Sequence, residues 1–128
     1  MKGKYRIFPD ASLIVFTVEG RLTLEGMRTL FRGFSTDHAY SLRYDGIADL
    51  RRIEEDLTRE ETKQLASEVV EMRLSEGTWV ALVDRARTTA LTQVYSRVVS
   101  PQHPLETCVT VERASQLLGR DVSAYVEA

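Results

Sequence analysis

The stretch "TWVALVDRARTTALTQVYSRVVS", residues 78–100, decides the fold class, because it leads a strand directly into a helix. Residues 78–84 form a short, mostly apolar run, which is typical of a parallel strand covered on both faces. From Thr88 onward, apolar residues recur at helical spacing until Pro101. The members of that stripe are Leu91, Val94, Tyr95 and Val98. A buried strand followed by such a helix indicates a parallel sheet with helical crossovers.

Two strands are predicted at the start of the chain, at residues 4–8 ("KYRIF") and 12–20 ("SLIVFTVEG"), with a short turn at "PDA" between them. The second is apolar at most positions, so we expect it to lie inside the sheet. The first alternates more regularly and is typical of the outer strand of a hairpin. Further strands are predicted at "YDGIADL" (44–50) and "ETCVTV" (106–111).

Three more helices are predicted from apolar residues at helical spacing. The first follows Thr23, which is a candidate N-cap. The second spans residues 59–74, with Met72 on its apolar face, and Gly77 is the glycine expected to end it. The third is "VERASQLLG", residues 111–119.

Strands and helices therefore alternate along most of the chain after an opening pair of strands. Right-handed crossovers then predict one α/β domain over residues 1–128, with a mixed, mostly parallel five-stranded sheet, an N-terminal β-hairpin and about four helices. Residues 120–128 are predicted to be a C-terminal tail that either extends the last helix or packs separately.

Composition and charge exclude several classes of protein. The net charge of -2 argues against nucleic-acid binding, which needs a basic surface. No apolar run approaches the roughly 20 residues of a membrane span, and the first residues lack the apolar core of a signal peptide, so we expect a cytoplasmic protein. Cys108 and two loop histidines, His38 and His103, both expected to be solvent-exposed, lack zinc-ligand spacing. We predict no catalytic residues, no metal and no cofactor.

Three stretches carry a resemblance to a known family: "YDGIADLRRIE", "WVALVDRARTTALTQVYS" and "CVTVERASQLLG". Together with the opening hairpin and the three crossovers, they resemble the STAS fold of anti-anti-sigma factors. The closer resemblance is to a bacterial branch of STAS-like proteins, whose relatives have also been compared with CRAL-TRIO lipid-transfer domains. The resemblance implies a regulatory, protein-binding role or, through that second comparison, a lipid-binding one.

The resemblance also bears on phosphorylation. Anti-anti-sigma factors carry an Asp-Ser pair after the third strand, and that serine is phosphorylated. The nearest match here is Asp56-Leu57-Thr58, in which leucine stands where the hydroxyl belongs, so we expect the usual phosphoserine switch to be absent. Thr58 is the candidate phosphosite, but it also forms a T-x-x-E capping box with Glu61, which predicts a structural role.

The acidic residues Glu54, Glu55 and Asp56 are consecutive in a predicted loop. An acid–base pair needs a carboxyl whose pKa is raised by burial or by a like charge. Three carboxylates in a loop are instead expected to be solvated and ionised. A hydrolase or transferase that uses this loop is therefore a distant third hypothesis.

Basic residues follow the third and fourth strands, where ligands bind in parallel sheets. They form a candidate site for an anion, together with the start of the helix that follows the fourth strand. Asp49 and Asp84 are expected to hold the arginines, and the alternative is that these pairs are ordinary surface salt bridges. The candidate ligand-binding residues are Arg51, Arg52, Arg85, Arg87, Thr88 and Thr89.

We therefore expect a non-enzymatic regulatory or protein-interaction module, with an unknown protein partner or a second copy of the chain. The alternative is a binder of a small molecule or lipid whose anionic head group lies at the arginine cluster.

Overall fold

The computed structural model describes residues 1–127 and contains a five-stranded mixed sheet in the order β1-β2-β3-β4-β5. The first two strands are antiparallel and the others run parallel to β2, which confirms the predicted fold class. The strands are β1 (Lys2–Phe8), β2 (Leu13–Arg21), β3 (Asp45–Glu55), β4 (Trp79–Leu82) and β5 (Leu105–Cys108).

Three helices cover one face of the sheet and a fourth covers the other. Each new parallel strand is added at the same edge, so right-handed crossovers place the three connecting helices on the same face. The connecting helices are α1 (Leu24–Ser35), α2 (Arg59–Met72) and α3 (Ala86–Val99), and the fourth is α4 (Val111–Leu118). We call the two sides of the sheet the three-helix face and the α4 face.

Strand β2 shows why the sheet needs both layers. Its residues alternate between the two faces, with Ile14 and Phe16 in the core under α1–α3 and Leu13 and Val15 in the core under α4. All four side chains are buried. The prediction of an inner strand covered on both faces is thus confirmed.

The ends of several elements differ from the prediction. Strand β3 continues to Glu55, and α3 begins at Ala86 rather than at Thr88. Gly77 does not end α2, which stops at Met72 with the next residue in the left-handed conformation. A side chain at Gly77 would overlap the carbonyl oxygen of Tyr44, so a close approach of two backbones requires this glycine.

The C-terminal tail does not extend α4 but packs beside it, where the Val122 N–H donates to Ser115 Oγ at 3.0 Å. Gly119 ends that helix with a positive φ of 73°. Val122 is then fully buried on the α4 face, and the ring of Tyr125 lies 4.8 Å from that of Phe8. Ala128, the last residue of the predicted tail, lies outside the described residues. Among residues 1–127, no helix is both long enough and apolar enough to cross a membrane.

Candidate functional site

A cavity of about 110 Å³ lies in the core between the sheet and helices α1–α3. Its walls are almost entirely apolar side chains from β2, β3, β4 and all three helices. An engineered cavity of about 150 Å³ with a similar lining stays dry and binds benzene. The space is therefore of the right order for a small apolar molecule. Lining residues include Phe16, Met27, Ala48, Leu65, Val69, Ala81 and Leu91.

Two alanines help to explain the space. Ala48 of β3 and Ala81 of β4 are paired neighbours in the sheet, and both are buried on the three-helix face. Their neighbours Phe16 and Trp79 are large and hold the helices away from the sheet. Because an alanine side chain ends at Cβ, this pair fills less of the space between the sheet and the helices than larger residues would. The cavity was not predicted from the sequence, in which two small residues in neighbouring buried strands are the signal that could have indicated it.

One end of the cavity is formed by Asp56, which directly follows β3. Its side chain is only 4% exposed, and its Oδ1 accepts a hydrogen bond of 2.8 Å from Thr88 Oγ1. Arg85 donates to the carbonyl oxygen of Ile53 at 2.6 Å, and its Nη2 lies 3.8 Å from Asp56 Oδ2. That Oδ2 atom is buried and accepts no hydrogen bond from residues 1–127. The predicted solvated acidic loop is therefore wrong: the Asp56 side chain is buried, and Glu54 and Glu55, although exposed, are the last residues of strand β3.

The other end of the cavity is formed by His103 and its neighbours, just before β5. The prediction that His103 is solvent-exposed is wrong, since it is only 3% exposed. Its backbone N–H donates to the carbonyl oxygen of Val99 at the end of α3, and this bond holds the loop over the core. Burial lowers the pKa of His103, and its Nδ1 has no hydrogen-bond partner among the described residues. Beside it, Trp79 Nε1 donates to Ser75 Oγ at 2.7 Å.

The cavity lining therefore extends along the sheet. Asp56 lies beyond the carboxyl end of β3, whereas His103 lies before the amino end of β5. The register places Leu105 beside Trp79 and Trp79 beside Gly46, so the His103 end lies near the start of β3 and the Asp56 end lies beyond its last residue. The site is an apolar chamber with a carboxylate at one end and an imidazole at the other.

Two of the predicted arginines lie on the opposite side of the sheet. Asp49 is 1% exposed and faces the α4 side, because it pairs with Leu82 of that core. It accepts hydrogen bonds from Arg51 at 2.8 and 2.9 Å and from Arg52 at 3.2 Å. Burial opposes the ionisation of Asp49, but the bonds from Arg51 outweigh it and hold the pKa of the carboxyl below its ordinary value. The prediction that Asp49 holds arginines is confirmed.

The six predicted ligand-binding residues are thus not one cluster. Arg51 and Arg52 lie on the α4 face, whereas Arg85 and Thr88 lie at the Asp56 end of the cavity. Arg87 is exposed, and Thr89 donates its hydroxyl to the carbonyl oxygen of Arg85 within its own helix. Hydrogen bonding to Asp49 raises the pKa of Arg51, and the charge of exposed Asp84 acts in the same direction. Binding of an anion by these residues stays a prediction.

Thr58 is the N-cap of α2. Its Oγ1 accepts a hydrogen bond of 3.1 Å from the backbone N–H of Glu61, and the Glu61 carboxylate accepts one of 3.0 Å from the backbone N–H of Thr58. The predicted capping box is confirmed. Leu57, which stands where the family has its serine, is buried in the three-helix core. Phosphorylation of Thr58 stays a prediction.

No family model, curated protein or solved structure matches this chain. Function is therefore inferred from the site itself.

Proposed function

We propose that the protein is a non-catalytic module that binds a small, mostly apolar molecule in the cavity between the sheet and helices α1–α3. The observation that carries the proposal is the apolar lining of this space together with Asp56 at one end, a residue whose buried Oδ2 has no hydrogen-bond partner among the described residues. Ligand sites in proteins are commonly apolar pockets with a few fixed polar groups.

The energetics also support a ligand. Closed core cavities cost about 24 cal/mol per Å³, so an empty space of 110 Å³ lowers the free energy of unfolding by at most about 2.6 kcal/mol. The total free energy of unfolding of a typical domain is only about 5–15 kcal/mol. A molecule that fills the space restores part of this loss, and it stabilises the folded state further as its concentration rises.

Native mass spectrometry of freshly purified protein tests the proposal. We expect a mass excess on the order of 100 Da, the size of a benzene-like molecule, which is lost on denaturation. If the protein is isolated without a ligand, added toluene should produce a mass excess equal to one toluene molecule, which is also lost on denaturation. Ala81→Val narrows the cavity and should weaken both signals, whereas Ala114→Val lies on the α4 face and should not. An empty protein that also fails to bind toluene contradicts the proposal.

A second candidate function is the interaction module expected from the sequence. Met72 was expected to face the core, but it is 60% exposed at the end of α2. With Leu42, which is also exposed, it lines a surface groove between α1 and α2. We propose that this groove contacts another protein or a second copy of the chain.

Light scattering and affinity purification test this second role. Met72→Asp should dissociate a dimer or abolish capture of a stoichiometric partner, because it places a charge in the apolar contact. Val109→Asp is the matched control, since Val109 is exposed elsewhere. A monomer that retains no partner, or a partner lost equally with both variants, contradicts a role for this groove.

A further inference from the structure

The polar groups at the Asp56 end of the cavity are nearly all used within the protein. The hydroxyl of Thr88 donates to Asp56 Oδ1 at 2.8 Å. The hydroxyls of Thr92 and Thr62 donate to backbone carbonyl oxygens of their own helix turns, at 2.7 and 2.8 Å. Asp56 Oδ2 is the exception, because it is buried and accepts no hydrogen bond from the described residues. A buried acceptor without a donor is costly, so this atom points to a missing donor.

The charge of Asp56 is already balanced. Arg85 Nη2 lies 3.8 Å from Asp56 Oδ2, which is near enough for charge attraction but too far for a hydrogen bond. The other terminal nitrogen of Arg85 donates to the carbonyl oxygen of Ile53. A cationic ligand at this position would be repelled by the guanidinium of Arg85, and an anionic ligand would be repelled by the carboxylate of Asp56. A ligand with an uncharged hydrogen-bond donor is repelled by neither group.

We propose that the ligand of the cavity carries an uncharged hydrogen-bond donor, a hydroxyl or an N–H group, that donates to Asp56 Oδ2. This inference rests on the proposed function, because it assumes that the cavity is the binding site. It replaces the anionic head group expected from the sequence with a neutral polar group, and it places Asp56 rather than the arginines in contact with the ligand. The ligand class is a small apolar molecule with one neutral donor.

Titration calorimetry with small molecules of similar size tests the inference. Pyrrole and furan are five-membered rings that differ mainly in one atom, since pyrrole donates an N–H and furan offers only an oxygen acceptor. We expect pyrrole to bind about tenfold more tightly than furan, the effect of one hydrogen bond to a charged acceptor. Benzoate and benzylamine test the charged alternatives, and toluene tests the cavity without any polar group.

Asp56→Asn is the decisive variant, because it keeps the shape of the side chain. The amide oxygen can still accept from Thr88, and the NH₂ group then replaces Oδ2 with a donor. The pyrrole-to-furan affinity ratio should fall from about ten to about one or lower. Glu54→Gln is the control, since it removes a neighbouring but exposed carboxylate, and its ratio should match the parent.

The outcomes separate this inference from the proposed function. If toluene binds and pyrrole and furan bind with equal affinity, the cavity is a binding site but the ligand's donor does not bind Asp56. A buried water then donates to Asp56 Oδ2 instead. Tightest binding of benzoate overturns the inference in favour of an anionic ligand. Failure of every molecule to bind, toluene included, overturns both. If Asp56→Asn does not fold, the pyrrole and furan affinities of the parent protein decide alone.

Discussion

Replacing Ala81 with valine measures whether the space above the sheet is empty in the ligand-free protein. Ala81 is 1% exposed and lines the cavity, and valine adds two carbon atoms at Cβ. Burying each added carbon group in empty space contributes about 0.8 kcal/mol, so the free energy of unfolding should rise by up to about 1.6 kcal/mol. Valine also suits a strand better than alanine does. At about 3–5 °C per kcal/mol, Tm should rise by about 5–8 °C.

The assay is urea and thermal denaturation of protein refolded from denaturant, so that no ligand is carried over. Ala114→Val is the matched control, because Ala114 is fully buried but lies on the α4 face, away from the cavity. Overpacking a filled core costs about 1–3 kcal/mol, so this control should be destabilised. A loss of stability of the same size in Ala81→Val refutes the cavity, because the added carbons would then have met filled space.

Three further predictions concern the cap, the buried ion cluster and the buried histidine. Thr58→Ala should lower the free energy of unfolding by about 1 kcal/mol in urea denaturation, because it removes the N-cap bond of α2. Asp49→Ala should cost about 3 kcal/mol in the same assay, since it removes the buried carboxylate that accepts hydrogen bonds from the partly buried guanidinium groups of Arg51 and Arg52. For His103, burial lowers the folded-state pKa below the ordinary 6.5 at which the unfolded chain protonates. The unfolded state therefore binds more protons between these two values, and stability should fall as the pH is lowered through that window but stay unchanged by this group above it. His103→Gln should reduce that pH dependence, whereas His38→Gln, at an exposed position, should retain it.

Each of these has a clear contrary result. Unchanged stability in Thr58→Ala means that the cap is replaced by another group. A loss below about 1 kcal/mol in Asp49→Ala means that solvent satisfies the arginines. Equal pH dependence in both histidine variants means that His103 is not the group responsible.

Patterns local in sequence predicted the elements well. The alternation in β2 requires two covered faces, and the T-x-x-E spacing of Thr58 and Glu61 specifies one helix start. Both depend on residues a few positions apart, so periodicity and capping chemistry suffice. The predicted order of strands and helices was correct for the same reason.

The site depends on packing between distant segments, which local patterns do not report. His103 is buried because its loop folds against α3 and Trp79. The predicted arginines lie on different faces of the sheet because their carboxylate partners do. Asp49 binds Arg51 and Arg52 on the α4 face, whereas Asp56, which follows a shift in the β2–β3 register, lies near Arg85 on the three-helix face. Residues that are close together in sequence, but not adjacent, therefore lie in different layers of the fold.

Methyl NMR spectra recorded during a titration with toluene test the central claim most directly. The account predicts saturable shifts at the methyl groups of cavity-lining Leu65 and Val69, with little change at Val80 and Val122 on the α4 face. Absence of shifts at the lining residues up to the solubility of toluene, or equal shifts on both faces of the sheet, contradicts a ligand site between the sheet and helices α1–α3.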